Sequence, residues 1–111
     1  MDNLDFYIFI QVNFLYNIGM ALCKSVKTSY GVDTQFHKIY DYDISFPTKT
    51  ARCKLVSYLS KEDFENGSSF LESYRFSWTG DDFDFIHDEN TTSKMYQKIK
   101  QTSEWNDAND C

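Results

Sequence analysis

A chain of 111 residues with 41% hydrophobic and 18% aromatic side chains suffices for one domain that buries about two-thirds of its unfolded surface. One proline and four glycines exclude a disordered or low-complexity polymer. The net charge is −6 and no cluster of Lys and Arg occurs, which disfavours direct binding to nucleic acid or an anionic membrane.

The first segment, residues 6–22, carries no formal charge. Asp2 and Asp5 precede it where a secretory leader would be basic, and Gln11, Asn13 and Asn17 interrupt it. It also falls short of the ~20 residues that a membrane span requires. Leu4, Ile8, Val12, Leu15, Gly19, Leu22 and Val26 share one face of a 100° wheel, which predicts a long buried helix stopped by Gly31. Phe6, Phe9 and Met20 fall near its polar side and are candidates for self-association.

Beyond Gly31 the period becomes two. Tyr40, Tyr42, Ile44 and Phe46 alternate with Ile39, Asp41, Asp43 and Ser45, and Pro47 ends this strand. A second strand places Ala51, Cys53, Leu55 and Leu59 opposite Arg52, Lys54, Val56 and Tyr58. Residues 61–68, with Asn66-Gly67, read as a loop. The third strand alternates Phe70, Glu72, Tyr74, Phe76 and Trp78 with Leu71, Ser73, Arg75 and Ser77, and Phe83 and Phe85 against Asp82 and Asp84 predict a fourth. Asn90 or Thr91 caps a last short helix that runs to about Lys100–Thr102, with Met95, Ile99 and Tyr96 inward.

The predicted fold is therefore α+β: a long N-terminal helix packed on a four-stranded antiparallel meander, with a short C-terminal helix. Residues 1–105 form the single domain and residues 106–111 a polar tail. In such a meander Asp41 and Asp43 lie beside Arg52 and Lys54, and Arg75 lies beside Asp82 and Asp84.

The chemistry on offer is thin. Cys23, Cys53 and Cys111 show no paired spacing, and an odd count argues against a disulfide framework and for a reducing cytoplasm, with Cys111 an exposed thiol. Asp82, Asp84, His87, Asp88 and Glu89 suggest a metal site, yet the stretch lacks the glycine and the spacing of a cation loop. A Cys53–His37 pair is spatially open but unsupported by spacing. Glu72 falls among the apolar residues of the third strand, and the preferred reading is that the strand begins nearer Ser73 and leaves Glu72 exposed, the alternative being a buried acid. No phosphate loop or nucleophile motif occurs, so an enzyme, a metal ion and a cofactor are not expected.

Charge carries the functional expectation. Residues 61–90 hold nine acids against Lys61 and Arg75, and the rest of the chain is nearly balanced. The leading reading is a small cytoplasmic protein-binding module, in the host cell if viral. It would inhibit by occupying a basic surface of its target, for example on a nucleic-acid-binding protein. Counter-defence, nucleic-acid-mimic and immunity proteins are similar to it in size and charge only. Asp63, Glu65, Asp81, Asp82, Asp84, Asp88 and Glu89 would supply the charge, and Phe83 or Trp105 an anchor. Two alternatives stand beside it: a homo-oligomeric accessory subunit assembled through the first helix, and a small metal-dependent hydrolase.

Overall fold

The computed structural model describes residues 20–87 and 89–111, and they form a five-stranded antiparallel sheet with three short helices. The strands are β1 (Leu22–Lys27), β2 (Asp33–Ser45), β3 (Thr50–Tyr58), β4 (Glu72–Thr79) and β5 (Asn109–Asp110). The helices are α1 (Lys61–Glu65), α2 (Asp81–Ile86) and α3 (Thr91–Lys100). The sheet order is β4-β3-β2-β1-β5.

This corrects the expected long helix on a four-stranded meander. Residues 4–19 of the helix, with Phe6 and Phe9, lie outside the described residues, but Leu22–Lys27 is a strand paired with β2. Leu22 and Val26 misled because a spacing of four satisfies a helical stripe and one face of a strand alike. Both pack on one core here. Gly31, read as a helix stop, instead turns the β1–β2 hairpin at φ +84°, where its N–H donates to the Thr28 carbonyl.

β2 carries a bulge. Ile39 lies opposite Leu55 and Asp41 opposite Lys54, so Tyr40 is the extra residue. One inserted residue reverses the faces of everything on one side of it. Ile39, expected to point outward, is 2% exposed, whereas Tyr40 is 39% exposed. Tyr42 and Ile44, beyond the bulge, point inward as expected. Tyr96 stabilises the site: its hydroxyl accepts from the Ile39 N–H at 2.8 Å and donates to the Met20 carbonyl at 3.0 Å.

β3 separates two cores by strict alternation. Ala51, Cys53 and Leu55 face the larger one, closed by Phe83 and Ile86 of α2, by Met95, Tyr96 and Ile99 of α3, and by Trp105. Tyr74, Phe76 and Trp78 join it from β4, directly opposite Leu55, Cys53 and Ala51. Glu72 does lie on this face, half-buried at the end of the strand where Ser29 donates to it. On the other face Val56 and Tyr58 pack with Phe36 and Ala21 beneath Phe64 of α1. Ser60 caps α1, its Oγ accepting from the Asp63 N–H, so the expected loop at 61–68 opens as a helical turn.

The expected fourth strand is α2. Four alternating residues are too few to separate period two from a helical i, i+3 pair, and Phe83 and Ile86 are that pair. Three aspartates in the first turn complement the helix dipole. α3 matches its expected span and its buried residues, although Asn90 sits left-handed at its start with no side-chain cap bond.

Residues 106–111 are not a free tail. Ala108 is buried, β5 pairs with β1, and the Cys111 N–H donates to the Ala21 carbonyl. Cys111 is disulfide-bonded to Cys23, which corrects its reading as an exposed thiol, and leaves Cys53 as a buried free cysteine. Lys24 adds a second tie, donating to Asp107 at 2.6 Å and to the Glu104 carbonyl. Among the described residues no helix is long and apolar enough to cross a membrane.

Candidate functional site

The acidic-aromatic stretch that stood out in the sequence becomes one short helix held between two neighbours. Gly80, at φ +59°, turns the chain out of β4 and into α2. Phe83 then drops into the core and stacks on His87 at 4.8 Å, while Phe46 from the β2–β3 turn meets Phe83 and His87 edge-on at 5.8 and 5.7 Å. From the opposite side α3 brings Lys98 to Asp82 at 2.5 Å, with Lys94 and Lys98 over the Phe85 ring at 5.1 and 5.6 Å. Lys49 lies 3.9 Å from Asp84. Asp88 lies outside the described residues.

This geometry sorts the acids. Asp82 is consumed by Lys98, and Asp84 is weakly screened at an exposed site. Asp81 and Glu89 are exposed and form no ion pair among the described residues. Phe46 at 55% and Phe85 at 40% exposure leave aromatic surface beside them. Acidic groups around partly exposed rings form a surface that suits a protein partner better than a small molecule.

Not every predicted acid belongs to it. Asp63 and Glu65 are on α1, which covers the other face of the sheet through Phe64. The expected single acidic rim is therefore two patches separated by the sheet. Neither expected anchor is available: Phe83 is 2% exposed, and Trp105 is 1% exposed and meets His37 at 4.9 Å and Tyr74 at 5.5 Å. Met20 packs against the chain's own larger core and is partly buried, while Phe6 and Phe9 lie outside the described residues.

The alternatives based on reactive groups find little here. Among the described residues no three His, Cys, Asp or Glu side chains gather as a metal would need. His37 pairs with Ser57, not Cys53. Its Nε2 faces the Lys24 carbonyl at 2.8 Å, an acceptor only, so that nitrogen carries the proton and Nδ1 accepts the Ser57 hydroxyl at 2.6 Å. Such a pair is one step from a nucleophile and its base, but both residues are fully buried, and Trp105 closes over the imidazole. Burial lowers the His37 pKa below the ordinary value, favouring the neutral ring. Burial, reinforced by Asp41, pushes the Cys53 thiol up to about 12, so it is not a thiolate near neutrality.

Lys38 was missed by sequence reasoning. It lies on the smaller-core face, 1% exposed, with Nζ donating to the Met20 carbonyl at 2.6 Å and 5.3 Å from the Phe64 ring. Burial, with Lys61 nearby, lowers its pKa to about 8. No pattern flags it, because the alternation read from the sequence begins at Ile39, one residue beyond it.

No protein family, curated protein or solved structure matches the chain.

Proposed function

We propose that the chain is a protein-binding module that acts by occupying a basic surface of its target, and that the exposed side of α2 makes the contact. The observation behind this reading is how the charges are spent. Six of the eleven cations, Lys24, Lys27, Lys49, Arg52, Lys98 and Lys100, each face an internal carboxylate, and Lys98 is the one spent against α2 at close range. Asp81, Glu89 and the weakly held Asp84 then supply charge, and Phe46 and Phe85 supply apolar contact. Inhibition by occlusion is the simplest activity open to such a surface. It requires no cofactor. The Cys23–Cys111 bridge favours an oxidising setting over the cytoplasm that the odd cysteine count suggested.

The experiment is affinity capture from source extract with the wild-type chain and an Asp81→Asn/Asp84→Asn/Glu89→Gln variant. A basic protein retained by the wild type, released by moderate salt and lost with the variant supports the reading. Equal capture by both chains removes it.

A further inference from the structure

β4 ends the sheet, and among the described residues no strand pairs with its outer side. Its eight residues run against β3 in unbroken register, whereas the β1–β2 and β2–β3 ladders each contain an irregularity. Natural edges are blunted by bulges, proline, lysine or shortness. β4 has no bulge, no proline and no lysine. The opposite edge is protected: β5 is two residues long and is followed at once by the disulfide. Among the described residues no backbone group outside β3 bonds to Glu72–Thr79. Every second residue of β4 therefore directs its N–H and C=O outward, over a length of about 27 Å.

The side chains specify what fits there. Arg75 lies directly opposite Lys54, a like-charge cross-strand pair. Lys54 is partly accommodated over the Tyr40 and Phe70 rings, at 5.0 and 5.7 Å, and Arg52 is taken by Asp43. Arg75 is exposed and has no ion pair among the described residues. The acids expected beside it, Asp82 and Asp84, are on α2 across the sheet. Ser73, Ser77 and Thr79 share its face, so that face of β4 holds no carboxylate. The other face presents Tyr74, Phe76 and Trp78, all half-buried, with Phe76 and Trp78 stacked at 5.9 Å.

We infer that β4 receives an added strand from an extended, acidic segment of another protein, with a carboxylate beside Arg75 and apolar side chains lengthening the Tyr74, Phe76 and Trp78 row. Backbone bonds supply affinity and the alternate side chains supply specificity. A second copy of this chain fits poorly. Two-fold pairing of β4 with itself sets Arg75 opposite or diagonal to its own counterpart and provides no acid on that face. The surface is separate from the exposed side of α2 and does not rest on that reading.

The test uses the full chain and a labelled peptide of about ten residues alternating valine and threonine, with glutamate for the central threonine. Fluorescence anisotropy should show binding that weakens about tenfold when the glutamate becomes lysine. Arg75→Glu, at an exposed position, should reverse that preference, and amide exchange in β4 should slow on binding. Several results would overturn the inference: no binding of either peptide, equal binding of both, or a preference that survives Arg75→Glu. A concentration-dependent dimer abolished by Ser77→Pro would also overturn it, since a second copy would then occupy the edge. Comparing the two peptides on the wild type needs no variant to fold.

Discussion

Removing the Cys23–Cys111 bridge by a Cys23→Ser/Cys111→Ser double substitution should be among the most damaging changes available to the fold. The bridged residues are 88 apart in sequence, so the crosslink encloses most of the chain. Closing a loop of that length restricts the unfolded ensemble by ~4.6 kcal/mol at 25 °C in the chain-entropy treatment. Against a typical domain stability of about 5–15 kcal/mol, that is between a third and nearly all of it. The native contacts near the bridge are few: β5 pairs through two residues, and Lys24 ties Asp107 and Glu104. Guanidinium unfolding of the oxidised wild type and the variant should show a large fall in midpoint. The slope should also steepen, because the uncrosslinked unfolded chain exposes more surface. A thiol titration of the native protein should find no rapidly reacting group, and one after unfolding, from Cys53. A variant within about 1 kcal/mol of wild type would refute the magnitude. Three titratable thiols in protein matured under oxidising conditions would refute the bridge itself.

Two further outcomes follow from buried polar groups. Tyr96→Phe keeps the ring but removes the hydroxyl that serves the β2 bulge, leaving the Ile39 N–H without its acceptor. It should cost about 1–3 kcal/mol in chemical unfolding, and a change below about 0.5 kcal/mol would mean that the bulge needs no such support. For His37 the sign is set by a folded-state pKa held below its ordinary value, so the unfolded chain binds the proton first as pH falls. Its contribution is complete above about pH 6.5 and is lost below it, with a slope of at most ~1.4 kcal/mol per pH unit. Unfolding curves between pH 7.5 and 5 read this directly, and a flat stability there would contradict a buried neutral imidazole.

Sequence periodicity succeeded where a strand was long and regular. The faces of β3 and β4 follow the alternation of Ala51, Cys53 and Leu55 and of Tyr74, Phe76 and Trp78. Met95, Tyr96 and Ile99 marked α3. It failed where two periods coincide, as at Leu22 and Val26, or where the element was too short, as at Phe83 and Ile86. The bulge at Tyr40 was hidden for another reason: a one-residue insertion is set by pairing with β3 and Tyr96, which no local pattern encodes. The disulfide was likewise a matter of topology, since it depends on residue 111 returning beside β1. The acids of the candidate surface were legible as a charge excess. Their separation onto two faces was not, because it follows from α2 being a helix. That change also removed the expected neighbours of Arg75 and left the edge strand its unmatched cation.

The most direct test of the proposed function is the salt dependence of association between the chain and its captured basic partner, for the wild type and the Asp81→Asn/Asp84→Asn/Glu89→Gln variant. The wild-type association rate should fall steeply as salt rises from about 0.01 to 0.15 M, and the variant should associate slowly and almost independently of salt. Identical rates and identical salt dependence for the two chains would contradict a contact made through the exposed acids of α2.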